Sequence, residues 1–175
     1  MGLLLIEIPT LAVDRAEVDH LIERLVPAVV SVGASIVESR VTADLKRLFT
    51  VVEHETERAD EVRDALAAAD VAVEDVAPVR LVGADLEEVK ATSAIAPRYL
   101  VEWDLPAELT MDAYLARTRE KSPLYAEVPE VDFRRTYVRE DLDKCLCFYD
   151  APCVADVERA RDVVSAPIDR LHELA

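Results

Sequence analysis

An α+β fold in two tandem β-α-β-β-α-β units is predicted by three observations. Short apolar runs with period-two alternation are interleaved with two helical stretches, in the order strand, helix, strand, strand, helix, strand. The same order is written twice within 175 residues. A polar segment ending in proline, GADLEEVKATSAIAP (Gly83 to Pro97), lies between the two copies and reads as a linker.

In the first copy, residues 1–82, LLLIEIP is a strand that stops at Pro9. Asp14 is placed to cap a helix reaching Val32, with Leu21, Ile22, Leu25 and Val29 on one stripe, and Pro27 is expected to kink or shorten it. ASIVESRVT and LKRLFTVVEH form a strand pair that turns near Ala43-Asp44; a helix follows from Asp60 to Ala69, and VAVEDVAPVRLV is the closing strand. In the second copy, residues 98–175, RYLVEWDLP is a strand and Thr110 caps a helix from Met111 to about Ser122. VDFRRTYVRED and DKCLCFYDA pair around Glu140-Asp141, a helix runs from Asp156 to Val164, and PIDRLHEL ends the unit. This order is the split, ferredoxin-like unit. The repeat aligns Glu7 with Glu102, and LKRLF beside LDKCL aligns Lys46 with Lys144. Such a sheet carries both helices on one face. The expectation is therefore that the two helix-free faces pack together, as a pseudo-dimer or an α/β barrel, with a ligand cleft between them.

Composition narrows the function. Twenty basic against 36 acidic residues give a net charge of −16, which disfavours nucleic acid and anionic membranes as partners. Three glycines and no G-x-G-x-x-G or Walker pattern leave no phosphate-binding loop. The opening MGLLLIEIP is too short for a spanning helix and lacks the features of a secretory signal, so a cytoplasmic location is expected, with Cys145, Cys147 and Cys153 as free thiols.

Candidate chemistry concentrates in the second copy. Alternation puts Cys145, Cys147 and Tyr149 on one face, with Lys144, Leu146, Phe148 and Asp150 on the other. Residues two apart on a strand lie about 6.5–7 Å apart, too far for an unstrained disulfide, so both sulfurs reach one metal only if their rotamers converge. The paired strand sends Arg135, Tyr137 and Arg139 to one face and Arg134, Thr136 and Val138 to the other. Guanidinium is the preferred partner of carboxylates and anionic ligands, so Arg135 and Arg139 are candidate ligand-binding residues, with Tyr125 and Tyr149 beside them. Glu102, expected on the cleft side with a raised pKa, is a candidate acid–base, Tyr137 a hydrogen-bond donor, and Cys147 a nucleophile. A metal set of Cys145, Cys147 and His172 is the alternative, because no H-x-x-x-H or H-E-x-x-H pattern exists.

YLVEWDLP, TYVRED, CFYDAP and APIDRLHEL, over Arg98 to Ala175, resemble a bacterial nickel-binding domain family of unknown function. The resemblance implies a ferredoxin-like fold and a site around Glu102 and Cys147, with Cys147 as the motif cysteine and Cys145 as an extra. It also implies a transition-metal cofactor such as nickel. The first copy looks like a diverged repeat in which Phe49 stands where Cys147 does. Where members of that family carry histidine in the second helix, this chain has Glu158, Arg159, Ala160 and Arg161. The functional expectation is a small-molecule-binding protein or enzyme that holds an anionic ligand. Its alternatives are a nickel or other transition-metal protein, or a structural interaction module. A second copy of the chain is an admissible partner.

Overall fold

Each unit takes its strand order from the split β-α-β connection, which leaves a gap beside the first strand for the third to fill. The computed structural model describes residues 1–55 and 58–175. The first unit comprises β1 (Gly2–Pro9), α1 (Arg15–Ser31), β2 (Ser35–Val41), β3 (Arg47–His54), α2 (Ala59–Ala68) and β4 (Asp75–Val82). A short helix, α3 (Leu86–Ala91), lies within the segment read as linker. The second unit comprises β5 (Tyr99–Asp104), α4 (Met111–Lys121), β6 (Asp132–Arg139), β7 (Lys144–Asp150), α5 (Val154–Val163) and β8 (Arg170–Glu173). A 3-10 turn over Ser122–Glu127 follows α4 directly. Strand order is β2-β3-β1-β4 in the first unit and β6-β7-β5-β8 in the second, the same arrangement twice. By compactness the units are residues 1–80 with 86–96 and 175, and residues 81–85 with 97–174.

The helices begin where the sequence provides caps. The Asp14 carboxylate accepts from the Glu17 amide, and the Thr110 hydroxyl accepts from the Ala113 amide. Pro27 lies inside α1 without shortening it, since the helix runs on to Ser31. Leu4, Ile6 and Ile8 join Val18, Leu21, Leu25, Val62 and Leu66 in the first core, beneath the helices. In the second, Val101, Trp103, Cys145, Cys147 and Tyr149 meet Tyr114, Val157 and Ala160. The opposite, helix-free face of the second sheet is buried as well: Leu100, Glu102, Tyr137, Leu146 and Phe148 are all at or near zero exposure.

Cross-strand register corrects the alignment of the repeat by one residue. Glu7 lies opposite Phe49 as Glu102 lies opposite Leu146, and Ile6 opposite Thr50 as Val101 lies opposite Cys147. The counterpart of Cys147 is therefore Thr50, not Phe49, and that of Lys144 is Arg47, not Lys46. Two pairs of left-handed residues anchor this register. Leu45 and Leu142 (φ 61° and 59°) turn the two β-hairpins, and Asp70 and Ser165 (φ 58° and 55°) follow the second helix of each unit. No helix among the described residues is long and apolar enough to cross a membrane.

Candidate functional site

The site is built where β6 and β7 pass under α4, α5 and the 3-10 turn. Cys147 faces the helices, with Thr136 opposite it on β6 and Val101 opposite it on β5. Arg161 descends from α5 onto the same spot. It occupies the apolar stripe formed by Val157, Ala160 and Val164, and it is only 2% exposed. Its Nη1 donates to Cys147 Sγ at 3.3 Å and to the Tyr149 hydroxyl at 3.2 Å. Nη2 donates to the Pro167 carbonyl, and Nε is buried without a hydrogen-bond partner. The Thr136 hydroxyl donates to Cys147 Sγ at 3.2 Å, and the Cys145 sulfur lies 3.8 Å from it. The rotamers of the two cysteines thus do converge. The hydroxyls of Tyr149 and Tyr125 share a 2.8 Å hydrogen bond.

These contacts split the two thiols electrostatically. The hydrogen bond from Cys145 lowers Cys147 below the ordinary thiol range, and the charge of Arg161 and the Thr136 hydroxyl add to it against the opposing effect of burial. Cys145 is pushed up, by its bond to Cys147 and then by burial, and so keeps its proton. Burial raises Tyr125 to about 12 and pushes Tyr114 and Tyr149 well above the ordinary phenol range, so all three hydroxyls stay protonated. One thiolate, one guanidinium and several neutral donors result.

A cavity of about 40 Å³ opens onto this cluster. Cys147, Thr136 and Arg161 lie at its lining, with aromatic walls from Trp103, Tyr114, Tyr125 and Phe133 and two further cations, Arg117 and Lys121. Arg117 stacks over Trp103, 5.3 Å from the ring centroid, and donates to the carbonyls of Val164 and Ser165. Among the described residues no carboxylate contributes to the lining. A water needs roughly 10–15 Å³ by this measure, so the space suits a solute of a few heavy atoms.

The remaining candidates lie elsewhere. Cross-strand pairing puts Glu102, Arg135 and Tyr137 on the helix-free face, opposite Leu146, Phe148 and Leu146 respectively. Glu102 is bonded to Lys144 (2.9 Å), Arg170 (3.2 Å) and His172 (2.8 Å). Burial pushes its carboxyl up, yet the bonds from His172, Lys144 and Arg170 outweigh burial and hold it well below the usual carboxylate range. The expected raised pKa is thereby reversed, because three donors were supplied by neighbouring strands. Arg135 lies over the Phe148 ring (5.0 Å), Tyr137 meets the same ring edge-on, and Arg139 grips Asp141 with two bonds. His172 is on the face opposite Cys145 and Cys147, so these three do not form one metal set. Cys153 is exposed, and its thiol donates to Asp156. Reasoning from sequence missed Arg161, Thr136, Trp103 and Tyr114 as site residues. The available signal was a charged residue at an apolar position of the α5 stripe.

Comparison with known proteins is informative for the second unit and for the fold. Residues 99–174 match the sequence profile of the nickel-responsive protein SCO4226-like family. No curated protein matches the chain. Among solved structures, a candidate chlorite dismutase, TA0507, is similar over the whole of this chain and 95% of its own, with 11% identity and a TM-score of 0.56. The siroheme decarboxylase NirDL is similar over 98% of this chain and 70% of its own, with 13% identity and a TM-score of 0.50. At such identities the likeness shows the fold alone. The chain is thus a tandem ferredoxin-like protein whose second unit is similar to the nickel-responsive SCO4226-like family.

Proposed function

We propose that the second unit is a small-molecule-binding module that takes a small anionic solute in the cavity above Cys147 and Arg161. The observation that carries this reading is the charge of the lining. In a chain of net charge −16, Arg117, Lys121 and Arg161 border the cavity with no carboxylate among the described lining residues, so cations outnumber the one thiolate even with Lys121 answered by Glu120 at 3.6 Å. The Arg161 guanidinium lines the cavity, and guanidinium is the preferred partner of a carboxylate or similar anion. A reducing compartment such as the cytoplasm would keep the neighbouring thiols free for this role.

Trp103, the sole tryptophan, lines the cavity and so reports on it directly. Titration with formate is expected to change its fluorescence saturably, and the change is expected to vanish in a folded Arg161→Met variant. An unsaturable response, or one that Arg161→Met retains, would refute the proposal.

The nickel reading is favoured by the family match over residues 99–174. The donor set does not fit it. No three His, Cys, Asp or Glu residues converge among the described residues. The two cysteines that do meet have a fixed cation 3.3 Å from one sulfur, which opposes a second cation there. Calorimetric titration of untagged protein with nickel is therefore expected to show no stoichiometric binding. Tight one-to-one binding lost in Cys147→Ser would restore nickel as the ligand.

A further inference from the structure

We infer that Cys147 is a hydroperoxide-reducing thiol: a small hydroperoxide, hydrogen peroxide or a short alkyl one, enters this cavity and oxidises Cys147 to the sulfenic acid. Three independent features of the site point to it. Cys147 lines the cavity yet is only 3% exposed as a residue, so a solute must enter to meet it and larger electrophiles are kept out. Thr136 Oγ1 and Arg161 Nη1 converge on the sulfur at 3.2 and 3.3 Å, and the Arg161 Nε is buried with no partner. The space of about 40 Å³ matches a hydroperoxide of a few heavy atoms. The inference uses the cavity described above but does not depend on anion binding.

The chemistry balances within this set. The thiolate sulfur attacks the terminal oxygen of ROOH; the S–O bond forms as the O–O bond breaks. The electron pair departs on RO⁻, which takes a proton from water to give ROH. Sulfur is oxidised by two electrons and the peroxide is reduced by two. The negative charge that develops on the leaving oxygen falls among Arg161, Arg117 and Lys121, where preorganised cations stabilise it more than water does. The Cys145 thiol, which retains its proton, donates to the reacting sulfur in the resting state, and sulfenic acid is the first rung of thiol oxidation.

The test uses the full chain in a Cys153→Ser background, treated with hydrogen peroxide at neutral pH and followed by intact and peptide mass. Cys147 should gain one oxygen. It should react about two- to three-fold faster than in the urea-unfolded chain, since nearly complete ionisation outweighs the lower nucleophilicity of a low-pKa thiolate. Arg161→Met should lower the rate toward that of the unfolded chain. Thr136→Val, which leaves the guanidinium in place, should lower it in part. A Cys147 that reacts no faster than in the unfolded chain, or equally fast in folded Arg161→Met, overturns the inference. Formate titration of Cys147→Ser, read at Trp103, separately tests anion binding without the thiol.

Discussion

Replacing Glu102 with glutamine is expected to lower the stability of the protein by about 3 kcal/mol, the lower end of what breaking a buried ion pair costs. Glu102 has no exposure and answers Lys144, Arg170 and His172 at once. An amide keeps the shape but withdraws the negative charge from two cations. The lower end applies because Arg170 is partly solvated and retains Asp104. Glu7, its counterpart in the first unit, answers Arg47, which is also bonded to Glu74, so Glu7→Gln should cost less. The pH dependence follows from the depressed carboxyl. Its contribution is fully present above the unfolded carboxylate value of about 4.3 and is lost as pH falls toward the folded value. Urea unfolding of both variants between neutral pH and pH 3 measures this. Glu102→Gln should show a flatter acid limb than the wild type. A loss under about 1 kcal/mol at neutral pH would mean that the donors are satisfied without the charge.

Most of the fold was legible because alternation in strands is local. The face assignments of Cys145, Cys147, Tyr149, Arg135 and Tyr137 follow from counting by twos and are the ones observed. Phe133 was not legible. The register shift between Phe133 and Arg135 puts it on the helix side, stacked against Tyr125, where simple alternation sends it away. The 3-10 turn that carries Tyr125 to Tyr149 was hidden too, since SPLYAE reads as the end of a helix. Glu102 shows the deeper limit. Its face could be read from the repeat, but its pKa depends on Lys144 and Arg170, which only the registers of β7 and β8 bring to it. Arg161 was visible only as one of four residues, Glu158 to Arg161, in a helix where the resemblance implies histidine. Its meaning required knowing that α5 lies over Cys147.

Arg161→Met is expected to have the largest effect on the chemistry of the site. Methionine fills much the same volume and suits the apolar stripe of α5, so the fold should persist despite the bonds lost to Pro167 and Tyr149. Without the guanidinium its share of the pull on Cys147 is lost, so the thiol should rise toward the ordinary range of about 8.5, with the Cys145 and Thr136 donors still opposing burial. The thiolate itself is the quantity to measure, by its ultraviolet absorbance as pH is raised on the folded protein, in the Cys153→Ser background. The wild type is expected to show one thiol ionising below the ordinary range, absent in Cys147→Ser and shifted upward in Arg161→Met. A wild-type curve with no ionisation below the ordinary thiol range, unchanged by Arg161→Met, would contradict the pairing of Cys147 with Arg161 on which the site rests.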